Sequence, residues 1–173
     1  MTTRNILMTL SGTVLLAACA SAPSSAPVAE AKLEARSGSA VTGTVTFSPA
    51  GDKVLVSARV SGLTPGQHGF HVHESGDCGA ADASSAKGHF NPANRSHGYY
   101  ESGEHHAGDM PNLVADAAGN ANVVAEVAQM SLTAGPGGII GRSIVVHADP
   151  DDYQSQPAGK SGKRVACGTI LLR

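Results

Sequence analysis

Short alternations of apolar and polar residues, rather than long apolar stripes, organise this chain. Residues 41–47, Val-Thr-Gly-Thr-Val-Thr-Phe, alternate with the period of a half-buried strand. Residues 53–60 form a second strand after a turn at 49–52, and residues 67–74 a third after a turn at 62–66. From 75 to 111 neither a helical nor a strand period persists. A loop that long inside a compact domain is functional or disordered far more often than it is a plain connection. Strands resume at 112–116 and 122–129, joined by Ala118-Gly119-Asn120. After the tight turn at 135–138, Ser143-Ile-Val-Val-His-Ala148 reads as a buried strand, 149–164 as a second long polar loop, and 165–172 as the closing strand. About eight strands with two long loops predict an all-β fold, an eight-stranded antiparallel Greek-key barrel or sandwich.

The first residues do not fit this pattern. One basic residue, Arg4, precedes an apolar run from Ile6 to Ala18 that is shorter than the roughly 20 residues of a membrane span. The run reads as the apolar core of a secretory signal peptide. Leu16-Ala17-Ala18-Cys19 resembles a bacterial lipobox, which implies a signal peptide at 1–18 and a lipidated Cys19; cleavage at a nearby Ala-x-Ala site without a lipid is the alternative. Ala20 rather than Asp after that cysteine points towards the outer membrane and a periplasmic location. Residues 19–31, rich in Ser, Ala and Pro, read as a flexible tether, and the folded domain as 32–173.

Composition alters this picture in one respect. A net charge of −2 offers no reason to expect nucleic-acid binding. The chemistry lies in the eight histidines. His71 and His73 sit two apart on a predicted strand, so both imidazoles face the same side. The irregular stretch behind them holds His89, His97, His105, His106 and Asp109, and His147 ends a later strand, with Asp151 four residues on. Neutral imidazole suits copper, zinc, iron or nickel. A metal can order a loop that has no apolar core of its own. With Cys19 set apart, Cys78 and Cys167 are left as a possible pair.

Five motifs carry a resemblance. Gly69-Phe-His-Val-His-Glu74, Gly88-His-Phe-Asn-Pro92, His106-Ala-Gly-Asp109, Gly141-Arg-Ser-Ile-Val-Val-His147 and Gly162-Lys-Arg-Val-Ala-Cys-Gly168 occur in the order and spacing of the Cu/Zn superoxide dismutase signatures. Residues 41–172 thus closely resemble that family, in its bacterial exported form. The resemblance implies one copper and one zinc per chain. It implies copper ligands at His71, His73 and His147, a bridging ligand at His89, and zinc ligands at His97, His106 and Asp109. That split agrees with the preference of copper for imidazole sets and of zinc for a closed tetrahedral set. Asp151 matches the family aspartate that bonds one histidine of each metal, in preference to Asp149 and Asp152. Cys78 and Cys167 match its disulfide, and Arg164 its active-site arginine. The implied activity is dismutation of superoxide, with His89 leaving reduced copper to take a proton. The implied membrane contact is the lipid anchor alone, and a monomer and a homodimer both stay open.

Two histidines remain. His105 competes with His106, whose His-x-x-Asp spacing fits the zinc set. His68 faces away from His71 and His73 on an alternating strand and reads as a structural residue bonding backbone groups. Lys160 and Lys163 read as a solvated basic loop with a possible part in attracting the anion. Two rival readings remain alongside the dismutase: a module that stores or delivers metal without turnover, and a zinc hydrolase. The first would be expected to lack a ligand or the arginine. The second needs an open zinc position, which a closed His89, His97, His106 and Asp109 set does not leave.

Overall fold

The computed structural model describes residues 1, 28–101 and 103–173. The expected signal peptide, Cys19 and most of the expected tether lie outside the described residues. Ten strands follow in order: β1 (Ala29–Ala35), β2 (Thr42–Ala50), β3 (Lys53–Ser61), β4 (Gly66–His68), β5 (Phe70–His73), β6 (Leu113–Ala115), β7 (Ala121–Val127), β8 (Ser143–His147), β9 (Arg164–Thr169) and β10 (Leu171–Leu172). Their spatial order is β4-β6-β7-β3-β2-β1-β9-β8-β5, with β10 beside β1, and every pairing is antiparallel. Since β4 and β5 are consecutive in the chain, the two ends of this order meet and the barrel is nearly closed. The chain passes from β3 to β4 across β7 and β6, and from β7 to β8 across the barrel, which is the Greek-key crossover.

Alternation sets the core. Val54, Val56, Ala58 and Val60 of β3 point inward, beside Val45 and Phe47 of β2, while Lys53 and Arg59 point out. Strand β8 is buried along its whole length, as its continuous apolar run predicts. Its outer face is covered by the first long loop, where Ala83 and Ala86 pack on Val145 and Cys167. Within that loop the only helical turn among the described residues is Ser84–Ala86.

Three expectations are corrected. The sheet begins at Ala29 rather than near residue 32, with Ala29, Glu30 and Ala31 paired to Phe47, Thr46 and Val45. Ala29 and Ala31 are fully buried; two alanines fill an inward position that a larger residue would overpack, yet alanine carries no strand signal. Residues 67–74 form two strands, not one. Gly69 breaks the ladder: its N–H donates to Asp149 O at 2.8 Å and its carbonyl accepts from His147 N at 2.8 Å. A Cβ there would lie 2.7 Å from Ser161, so the second long loop packs where a side chain would stand. Residues 165–172 likewise split around Ile170, whose backbone bonds Gly141 and Arg142. Joined across these two breaks, the ten strands make eight segments, seven on the predicted runs and the eighth, β1, where no strand was predicted.

Candidate metal centre

Strand β5 presents His71 and His73, and β8 presents His147 beside it. The first long loop folds back onto β5 through two isolated bridges, His71 with Asp109 and His73 with His89. Two groups result. Ligand atoms of His71, His73, His89 and His147 lie within 4.8 Å of one another, and so do those of His89, His97, His106 and Asp109. All seven residues are buried, and His89 belongs to both groups.

In the second group Asp109 Oδ1 lies 2.8 Å from His89 Nδ1, 3.1 Å from His97 Nδ1 and 3.3 Å from His106 Nδ1. Ligand atoms on a tetrahedral zinc, with bonds of about 2.0–2.1 Å, stand roughly 3.3 Å apart, so the set is already close to that size. In the first group the Nε2 atoms of His147 and His73 face each other at 3.4 Å. Three buried ring nitrogens, His71 Nδ1, His89 Nε2 and His97 Nδ1, have no hydrogen-bond partner among the described residues. Buried polar atoms are nearly always satisfied, and each orphan costs about 1–3 kcal/mol. A cation in each group satisfies all three, so the residues fit a copper and a zinc.

Asp151 ties the groups together. Its Oδ2 accepts from His71 Nε2 at 2.8 Å and its Oδ1 from His97 Nε2 at 2.9 Å. This holds both rings so that Nδ1 faces its group. Gly159 packs on this bridge so closely that a Cβ would meet Asp151 Oδ1 at 1.7 Å. Two amides unmarked by the sequence reading extend the support. Asn112 bonds both the N–H and the carbonyl of Asp151 at 2.9 Å, and Gln156 bonds both those of His97 at 2.8 Å. Neither shows a signal in the sequence, because a lone amide in a loop reads as turn chemistry.

Arg164 donates to the carbonyls of Ala83 and Lys87, at 2.7 and 2.5 Å. The Lys87 carbonyl also accepts from His73 Nδ1 at 2.9 Å, so one oxygen links the arginine to the first group. Lys87 adopts φ 64° and ψ −149° to aim it, a conformation that only glycine takes without strain. Arg164 stands opposite His147 across β8 and β9. Cys78 and Cys167 are disulfide-bonded, closing a span of 89 residues and fastening the same loop. His68 donates Nδ1 to His147 O at 2.9 Å, with Nε2 2.8 Å from Thr64 O, away from both groups. His105 also stays outside them, its Nδ1 bonding His106 O and its Nε2 meeting Gln129. Lys160 and Lys163 are exposed on the second long loop.

Burial, reinforced by His71, pushes the pKa of His89 down to about 3. Burial and the surrounding imidazoles also hold His73 and His147 well below the ordinary range. For His97 burial opposes the charged form, but the neighbouring carboxylates of Asp109 and Asp151 outweigh it and lift the pKa to about 9. Asp109 and Asp151 are themselves held below the usual carboxylate range, since the imidazoles of His106, His89 and His97 for one, and of His71 and His97 for the other, overcome burial. The lowered pKa values of His73, His89 and His147 keep those three rings unprotonated, the state that binds metal.

A pH dependence of the metal-free protein follows. Below about pH 6.5 the unfolded chain takes protons on His73, His89 and His147 that the folded chain refuses, so stability falls as the medium becomes more acidic. The depressed carboxylates add to this loss below about pH 4. His97 contributes stability that is fully present below its unfolded pKa of about 6.5 and lost as pH rises to about 9. Calorimetry after chelation should give a melting temperature that peaks near pH 6.5 and declines on both sides, more steeply towards acid. A melting temperature that climbs steadily from about pH 7 to pH 5 contradicts it.

Fold and site together define a class: an antiparallel β-barrel metalloprotein with two adjoining, nitrogen-rich sites that share one imidazole. The family described as copper/zinc superoxide dismutase matches residues 41–170. The Cu-Zn superoxide dismutase of Deinococcus radiodurans is 42% identical over 141 residues, covering 75% of this chain and 77% of its own. The extracellular Cu-Zn superoxide dismutase of Brugia pahangi is 41% identical over 141 residues, covering 76% and 70%. A crystal structure of the clock protein EA4 superposes with a TM-score of 0.76 at 37% identity, over 85% of this chain and 96% of that one. The chain belongs to the copper/zinc superoxide dismutase family. It is an enzyme that converts superoxide to dioxygen and hydrogen peroxide, with copper and zinc as cofactors.

Proposed function

We propose that copper is held by His71 Nδ1, His73 Nε2, His89 Nε2 and His147 Nε2, and zinc by the Nδ1 atoms of His89, His97 and His106 with Asp109 Oδ1. The observation that carries this reading is the pair of buried four-residue groups meeting at His89. Copper supplies the one-electron exchange that oxidises one superoxide and reduces the next, while zinc supplies a fixed charge without redox change. Two superoxide ions and two protons thus yield one dioxygen and one hydrogen peroxide. His89 offers a ring nitrogen to each side, which places it to hold and deliver a proton to the reduced product. Asp151 keeps His71 and His97 oriented. Arg164, permanently charged and tied to His73 through Lys87 O, draws a small anion to the first group and orients it.

The test is a count of copper and zinc in the purified protein with superoxide decay followed directly in the same sample. About one of each per chain should accompany decay near the diffusion limit, behaviour for which superoxide dismutases are themselves a standard example. Both metals bound without accelerated decay would instead favour a storage module. Arg164→Ala should slow turnover by about tenfold or more and weaken inhibition by small anions, with copper content unchanged. Unchanged kinetics would remove Arg164 from the reaction.

The enzyme acts in the cell envelope on this reading. The disulfide belongs to an oxidising compartment. The lipobox-like Leu16-Ala17-Ala18-Cys19 supports export and a lipid anchor on Cys19, with the domain in the periplasm at the outer membrane. Mass spectrometry of the native N-terminus tests this: a diacylated or triacylated Cys19 is expected, and an unmodified N-terminus at another residue excludes it.

A further inference from the structure

Arg142 has no part in the reaction as described, yet its side chain is only 23% exposed and heavily engaged. It stands just ahead of β8. Its Nε–H donates to Gly138 O at 2.8 Å, and its Nη1 donates to Glu74 O at 2.6 Å and to Glu74 Oε1 at 3.1 Å. The face of its guanidinium lies 3.7 Å from the centroid of the Phe90 ring, which is 1% exposed. Glu74 follows His73 directly, and Phe90 follows His89 directly. One planar cation therefore grips the residue next to each of two imidazoles that converge in the first group, with ring centroids 5.1 Å apart at 63°.

Backbone bonds already join the two segments: Glu74 N–H to Gly88 O at 2.9 Å, Phe90 N–H to Val72 O at 2.8 Å and Ser75 N–H to Ala86 O at 3.1 Å. These bonds set the spacing and register of the main chains. Arg142 adds a side-chain anchor to each segment, through Glu74 on one and the Phe90 ring on the other. We propose that Arg142 is a positioning residue of the copper site, setting the mutual angle of His73 and His89 through Glu74 and Phe90. Lysine cannot replace it. An ammonium reaches one or two of these acceptors but has no planar fork to serve three and no face to lie on the ring.

The inference rests on His73 and His89 being copper donors, and the test separates the two claims. Arg142→Met and Arg142→Lys are prepared as full chains loaded with both metals, and the cupric centre is read by electron paramagnetic resonance. A shifted parallel copper hyperfine splitting is expected in both, larger in Arg142→Met, with zinc content as in the parent. A spectrum superimposable on the parent's in both variants overturns the proposal, whatever happens to the melting temperature. Should Arg142→Met fail to accumulate folded, Arg142→Lys decides the matter alone. His73→Ala is the control. If it also leaves the copper spectrum unchanged, the donor assignment has failed; if it alone changes the spectrum, only the role of Arg142 has.

Discussion

Replacing His147 by Ala should abolish nearly all superoxide dismutation while leaving the zinc group intact. His147 is 4% exposed, and its Nε2 lies 3.4 Å from that of His73, at the centre of the first group. Loss of groups that merely orient a ligand costs about 10–100-fold in metal affinity or activity, so loss of a donor should cost more than about a hundredfold. The backbone at this position stays anchored, because the His147 carbonyl accepts from His68 and its N–H donates to Gly69 O. No ligand atom of His147 belongs to the second group. The measurement is superoxide decay with copper and zinc counted in the same sample. Copper should fall with activity, and zinc should remain near one per chain. A variant that keeps its copper and its full rate sinks the assignment.

Replacing Cys78 and Cys167 by Ser should have the largest effect on stability. The bond closes a span of 89 residues, and in the chain-entropy account closing a loop of that size stabilises the fold by about 4–5 kcal/mol. For a domain of this length that corresponds to a melting temperature lower by roughly 10–15 °C. The effect should not stop at stability. The bond fastens the loop whose Ala83 and Lys87 carbonyls hold Arg164. Other fasteners remain: Arg36 Nε–H donates to Cys78 O at 2.8 Å and Ser37 N–H to Ala81 O at 2.7 Å. The loop should therefore loosen rather than detach, and turnover well below the melting temperature should fall with weaker inhibition by small anions. Calorimetry of parent and variant under oxidising conditions gives the first effect and steady-state kinetics the second. Equal melting temperatures would contradict the chain-entropy account.

Much of the site could be read in advance because its chemistry is local in sequence. His71 and His73 share a strand face, and His106 and Asp109 share one turn of chain. Apart from Asp151, which the family resemblance implied, the support around them was not legible. Lys87 matters through a carbonyl, which every residue has. Asn112, Gln156 and Arg142 matter through partners 39, 59 and 68 residues away, and side-chain type alone does not name such partners. The start of the sheet at Ala29 escaped notice because alanine carries no strand signal and only the opposing Phe47 and Val45 make that position an interior one.

Strand periodicity, the irregular loop between the third and fourth runs and the residue types of the candidate donors are properties of the sequence by itself, since each depends on neighbours within a few residues. Which donors share a metal, which ring nitrogen faces it, and where Gly69 turns the chain from one side of the barrel to the other were decided by tertiary structure. The reason is physical. An imidazole has two nitrogens of nearly equal chemistry, and the choice between them is made by what occupies the other: Asp151 for His71 and His97, the Lys87 carbonyl for His73. Those partners arrive only when the barrel closes and the two long loops pack over it.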